Sequence, residues 1–250
     1  MKPDHPHAEQ IPALRQLWQE TFGDTDAFLD GFFTTAFSPR RCLCATRDQR
    51  VVSAVYWLDV TFAGGKGAYI YALATAEDHR GQGLAHTVMA AAHSLLKEQG
   101  YAAAILVPGE ASLARLYSAM GYRFFGGIHT FSAVAKSPDV ALKRISGAQF
   151  AALRAQYLPA GAVIQAAENV AFLETYATLY AGADFLLAAW QEGDTLSGLE
   201  LLGNREKAPQ ILQSLGAKQG SFRAPGQDPF AMWLPLRECA EPSYFGLAFD

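Results

Sequence analysis

Several features that would define a function are scarce in this sequence. There are three cysteines, Cys42, Cys44 and Cys239, in 250 residues. Cys42-x-Cys44 falls on a predicted strand, where alternation puts both side chains on one face, but no further ligands follow at zinc spacing. Reduced core cysteines are therefore expected, and no metal. No run of Lys or Arg occurs and the net charge is only -4, which removes the electrostatic footprint of a nucleic-acid binder. The longest apolar stretches, such as Tyr101 to Pro108, fall far short of the ~20 residues a membrane span needs. The first residues, Met1-Lys2-Pro3-Asp4-His5-Pro6-His7, are polar where a secretory leader would be apolar. A cytoplasmic chain with no nucleic-acid or membrane partner is expected, and self-association is compatible with it.

What is plentiful is apolar residue. Half the chain, 50%, is hydrophobic and only 18% is charged, enough to bury a core in each half. Ile11, Leu14, Leu17, Trp18 and Phe22 recur at helical spacing, and Phe28, Phe32, Phe33 and Ala36 repeat the pattern after Gly23-Asp24. Cys42 to Thr46, Val51 to Phe62 and Ala68 to Thr75 read as an antiparallel meander with turns at Asp48-Gln49-Arg50 and Gly64-Gly65-Lys66-Gly67. Leu84, Val88, Ala91, Ala92, Leu95 and Leu96 make one helix face, closed by Gly100. A strand over Ala102 to Val107, a helix carrying Leu113, Leu116, Tyr117 and Met120, and closing strands Tyr122 to Phe125 and His129 to Ala135 complete a first module.

Lys136-Ser137-Pro138-Asp139 is the predicted boundary, dividing the chain into residues 1–136 and 140–250. Beyond it, Ser146-x-x-Gln149 has the form of a capping box opening a helix. Val170, Leu173, Ala177 and Tyr180 suggest a second helix. Phe185 to Gln191 and Leu196 to Leu202 form a predicted hairpin, followed by a helix through Ile211, Leu212 and Leu215 and by strands at Ser221 to Arg223 and Phe230 to Leu236. The element order of the first half thus recurs without visible identity, as a degenerate internal duplication would leave it.

Chemistry concentrates between Tyr71 and Ala85. A strand runs into the loop Arg80-Gly81-Gln82-Gly83, whose glycines permit sharp turns, and a helix starts at Leu84. Free amides at the helix start, its positive dipole end and Arg80 would converge on a phosphate. The loop is no P-loop, because no Gly-Lys-Ser/Thr follows, and no dinucleotide fingerprint, because His86 stands at the third small position.

Arg80-x-x-Gly83-x-Ala85 between a strand and an amphipathic helix resembles the acyl-CoA motif of the GNAT N-acetyltransferase superfamily. The order of elements and the helix ending Leu116-Tyr117-Ser118-Ala119-Met120-Gly121-Tyr122 agree with it over about residues 10 to 135. The resemblance implies an α/β, mixed-sheet fold with a degenerate second module, and transfer of acetyl from acetyl-CoA to a primary amine. It places pantetheine on the backbone of Leu73, Ala74 and Thr75, and the pyrophosphate on the amides of Arg80, Gly81, Gln82, Gly83, Leu84 and Ala85. It makes Tyr117 the general acid that protonates the departing thiolate; the same residue also falls on a helix face that a core tyrosine would occupy. Glu110 or Ser112 stands where the superfamily often has Asn, and either could cap the helix or touch the CoA arm.

The whole chain is also similar, more loosely, to the enhanced-intracellular-survival acetyltransferases, in which the chain's end enters the active site. Here Tyr244-Phe245-Gly246-Leu247-Ala248-Phe249-Asp250 is apolar, and the motif strand carries Tyr69 and Tyr71 but no carboxylate. Two readings of the tail follow: it completes the second module's sheet, or it docks on the first module and presents Asp250 and the terminal carboxylate as the base. A catalytically silent acyl-CoA-binding protein and, for the second half, a protein-interaction domain are the competing functions.

Overall fold

The computed structural model describes residues 2–249. Helix α1 (Ile11–Phe22) buries Leu14, Leu17 and Trp18 and ends at Gly23, whose φ of 73° is left-handed. The Thr25 side chain accepts from the Phe28 N–H and so caps α2 (Asp26–Thr35). Strands β1 (Cys42–Arg47), β2 (Arg50–Phe62) and β3 (Gly65–Thr75) form the predicted meander. After it come α3 (Leu84–Glu98), β4 (Ala103–Leu106), α4 (Ala111–Ala119), β5 (Arg123–Phe125) and β6 (Ile128–Val134). The second half contains β7 (Leu142–Arg144), α5 (Gly147–Tyr157), α6 (Glu168–Leu173), β8 (Thr178–Gly182), β9 (Phe185–Glu192), β10 (Thr195–Gly203), α7 (Ala208–Leu215), β11 (Gln219–Pro225) and β12 (Ala231–Pro235). The capping box at Ser146 and Gln149 forms as read.

Two mixed six-stranded sheets result, ordered β1-β2-β3-β4-β12-β5 and β6-β11-β10-β9-β8-β7. Each has one parallel pair joined by a crossover helix: β3 and β4 through α3, β10 and β11 through α7. This is the repeated architecture anticipated from the element order.

The sheets do not follow the division at residues 136 and 140. Strand β6 precedes that point but pairs with β11 in the second sheet. Strand β12 follows it but lies in the first sheet, antiparallel to both β4 and β5. The exchange is reciprocal: each half lends the other the strand that covers its last parallel strand. Met232 and Trp233 of β12 are buried, so without the exchange β4 would keep an open edge. The crossover occurs at Gly126-Gly127, where a Cβ on Gly126 would collide with the Ser243 carbonyl. His129 to Ala135, expected to close the first module, therefore closes the second.

A second departure lies at residues 170–180, expected as one helix. Helix α6 stops at Leu173 and Thr178–Gly182 is β8, paired with β7 and β9. Leu179 and Ala181 alternate inward, and a short apolar run of this length reads equally as strand or helix until its partners are present.

The tail from Leu236 to Phe249 joins neither sheet as a strand. It is wedged between them, with Tyr244, Phe245, Leu247, Ala248 and Phe249 all buried. The Tyr244 carbonyl accepts from the Val163 N–H at 2.8 Å, and the Leu247 carbonyl from Gln165 Nε2 at 2.8 Å. Beneath it lies a buried ion pair: Arg154 of α5 donates to both oxygens of Glu200 on β10, at 2.6 and 2.9 Å, and the Tyr244 hydroxyl donates to the same carboxylate at 3.1 Å.

Candidate active site

Strands β3 and β4 stay paired only from Gly67/Ala103 to Tyr69/Ile105 and then separate. On the other side of β3 the register with β2 slips between Ala54 and Tyr56, so that Ala72 and Leu73 bulge against Val55. Ala72 takes the bulge with a φ of 51°, in a region an L-residue seldom occupies. The bulge lies just beyond the last β3–β4 pair, where the two strands part and leave a gap. The gap opens into a cavity of about 1060 Å³ that is walled by Leu73, Leu106, Leu113 and Tyr117 on this side.

Of the three β3 residues expected to meet pantetheine, Leu73 lines the cavity. Ala74 and Thr75 lie further along, and their carbonyls already accept from the Ser53 hydroxyl at 2.9 Å and from Arg80 Nε at 3.2 Å. Beyond them the chain turns through Gly81 and Gly83, with φ of 72° and 76°. Gly83 occupies the N-cap position of α3 with no side-chain cap, and the first helical bond runs from the Thr87 N–H to the Gly83 carbonyl at 3.0 Å. The amides of Leu84, Ala85 and His86 thus precede the first intrahelical donor, the Thr87 N–H, at the positive end of a 15-residue helix.

The loop is braced by neighbours. Arg47 donates to Gln82 Oε1 at 2.9 Å, and Asp78 is paired with Arg50 at 2.6 Å and with His79 at 2.8 Å. Hydrogen bonds from His79 and Arg50 hold the Asp78 carboxyl below its usual range, so it stays ionised as a brace. Space around Gly81 and Gly83 is open on the side a Cβ would occupy. A Gly83→Val variant fills that space and opposes the left-handed φ, and its CoA affinity is expected to fall by about tenfold or more in calorimetry. Unchanged affinity in a folded variant would remove the loop from the site.

Tyr117 is buried on α4, its ring centroid 5.9 Å from that of Tyr122, and it also lines the cavity. Core packing and cavity exposure, alternatives in the sequence, coexist in one side chain. Burial pushes its phenol up to about 12, so it is protonated throughout the neutral range. Glu110 sits at the N-cap of α4 without capping it; its carboxylate accepts instead from the Ser112 hydroxyl. Both residues are exposed at the start of α4.

The second half supplies the opposite side of the cavity through Tyr176, Trp190, Phe230, Ala248 and Phe249. The tail arrives held by the two tyrosines of β3. Tyr71 donates its hydroxyl to the Phe249 carbonyl at 2.9 Å, and the Phe249 N–H lies 3.4 Å from the Tyr69 hydroxyl. Asp250, the expected base, lies outside the described residues. The α1–α2 corner adds Phe22 at the end of α1, Asp24 in the loop and Phe28 in the first turn of α2. Sequence reasoning missed Asp24, Tyr176 and Trp190, because nothing local marks a residue whose role depends on a wall built by a distant segment. Among the described residues no cluster of three His, Cys, Asp or Glu is placed to hold a metal, and no helix is long and apolar enough to cross a membrane.

With this geometry in view, comparison with known proteins is informative. The family model of the acetyltransferase (GNAT) domain matches residues 3–125. Among solved structures, a GCN5-related N-acetyltransferase from Anabaena variabilis superposes with a TM-score of 0.73 at 16% identity, over 94% of this chain and 73% of that one. Eis1 from Mycobacterium abscessus superposes with a TM-score of 0.63 at 14% identity, over 91% and 66%. A tandem GNAT protein from the clavulanic acid biosynthesis pathway matches nearly end to end, 96% and 99%, with a TM-score of 0.56 at 11% identity. No curated protein matches by sequence. At these identities the superpositions speak for the fold, here the two-module arrangement, while the splayed strands, bulge and glycine loop all fall within or beside the matched segment. Residues 3–125 belong to the GNAT acetyltransferase family, and the chain is an N-acyltransferase of that type.

Proposed function

We propose that this enzyme transfers the acetyl group of acetyl-CoA directly to a primary amine. The observation that carries the reading is the continuity of one surface: the bulged edge of β3 leads from the cavity holding Tyr117 to the uncapped start of α3. Pantetheine, with its two amides, suits the strand edge at Leu73, Ala74 and Thr75. The pyrophosphate suits the amides from Arg80 to Ala85, and Glu110 and Ser112 stand at the start of α4 as further contacts for the arm. The thioester would then lie near Tyr117.

In the reaction the amine nitrogen attacks the thioester carbonyl, the C–S bond breaks, and the Tyr117 hydroxyl gives its proton to the departing sulfur. The nitrogen loses its extra proton to a base. We assign that role to Asp250, which follows Phe249, a residue of the cavity wall. Asp250→Asn is expected to lower kcat by about 10²-fold and leave CoA affinity intact; equal kcat in the two proteins would take the role from the Asp250 side chain and return it to the terminal carboxylate, which the substitution keeps, or to water. The function itself is tested by free-thiol release from acetyl-CoA with a panel of amines. Amine-dependent release supports the enzyme, and tight CoA binding with no release under any amine points to a silent acyl-CoA-binding protein.

A further inference from the structure

The part of the cavity remote from the CoA loop has a composition of its own. Trp18, Phe22, Phe28, Tyr176, Trp190 and Phe230 form its walls. Phe22 and Trp190 are 46% and 39% exposed, among the largest exposed apolar side chains of the described residues, and both face this one cavity. Folding does not explain leaving two such rings in water at one place, whereas a ligand that covers them does. Among the described residues lining the cavity, Asp24 is the sole one with a full charge. Its Oδ2 accepts from the Trp18 indole N–H at 2.7 Å, which fixes the carboxylate on the α1–α2 loop. The same buried Trp18 packs against Phe32, Tyr56 and Tyr71, so the carboxylate is anchored to the core of the first sheet.

Resting on the transferase reading, we propose that the acceptor is a primary amine with a single positive charge and an aromatic or apolar body, and that Asp24 binds its ammonium form, which gives one proton to solvent before the free amine attacks. One carboxylate among aromatic rings suits one cation, since both the charge and the ring faces attract it. No lining cation is present among the described residues to receive a carboxylate or phosphate on the acceptor. An acceptor with many hydroxyls would leave most of them without partners against these walls. Asp24 is thus a determinant of acceptor binding, separate from the group that protonates sulfur.

The test compares three acceptors with the full chain and acetyl-CoA: 2-phenylethylamine, the polyhydroxylated glucosamine and the zwitterion glycine. The expected order places 2-phenylethylamine ahead in kcat/KM by about 100-fold, the discrimination a site of matched polarity supplies. Asp24→Asn keeps an oxygen for the Trp18 indole, and is expected to raise KM for 2-phenylethylamine by about tenfold or more with kcat and CoA affinity nearly unchanged. Glucosamine or glycine performing as well, or an unchanged KM in the variant, would overturn the assignment. Calorimetry of 2-phenylethylamine onto the CoA-loaded protein reads the same site without turnover. Binding that weakens in Asp24→Asn supports the acceptor class even where no acetyl moves, an outcome that would overturn the transferase reading alone; no binding overturns the acceptor class.

Discussion

Tyr117→Phe is expected to lower kcat by about 10²- to 10⁴-fold while CoA affinity stays the same, the range that loss of a positioned proton donor costs. The substitution keeps the ring that packs against Tyr122 and lines the cavity, and removes only the hydroxyl. Stability should therefore change little, which separates a chemical loss from a folding one. The pH profile gives an independent check. With its phenol pushed up to about 12 by burial, Tyr117 remains an acid at every pH where the enzyme is assayed. A fall in kcat between pH 8 and 10 would then have to come from another group. Because the folded value lies above the unfolded one near 10, the stability linked to this residue is full below pH ~10 and is lost as pH rises toward 12. An unchanged kcat in Tyr117→Phe would return the residue to a purely packing role.

The largest expected effect on stability is at the ion pair under the tail. Arg154 and Glu200 are 1% and 0% exposed, and Tyr244 closes the cluster from above. Glu200→Ala would strand the Arg154 guanidinium in the core, at an expected cost of about 3–5 kcal/mol in chemical denaturation. Arg154 Nη1 already lacks a hydrogen-bond partner, so the pair is not fully satisfied even when intact. Replacing both partners together, Arg154→Met with Glu200→Leu, should recover most of the loss, since the desolvation cost of both charges is then removed. A cost below about 1 kcal/mol for Glu200→Ala would mean that water reaches the cluster. Losing the carboxylate also frees the Tyr244 hydroxyl, which links this core site to the tail that carries Phe249 to the cavity.

Most of the first half was legible because its signals are local. The helix faces of α1 to α4, the two turns of the meander and the loop from Arg80 to Gly83 each depend on residues within one or two turns of chain. The loop in particular is a backbone device: Gly81 and Gly83 adopt conformations few other residues tolerate. Tyr117 was legible as a member of a local pattern, though not as a side chain that serves both core and cavity. The helix expected at residues 170–180 failed because Leu173, Ala177 and Tyr180 also satisfy a short helix followed by a strand, and only pairing with β7 and β9 decides between them.

By itself, then, the sequence determined most of the secondary elements, the repeated order of the two halves and the glycine loop, since propensity, periodicity and φ preferences act over a few residues. Tertiary structure decided everything that joins residues far apart. The exchange of β6 and β12 rests on which strand edge each finds, an outcome of pairing across about a hundred residues that no local pattern records. The aromatic end of the cavity exists only because Asp24 on the α1–α2 loop, Trp190 on β9 and Phe249 in the tail converge. Apolar side chains carry no address in the sequence: burial rewards any close contact alike, and only the assembled backbone selects which aromatic residues become wall and which become core.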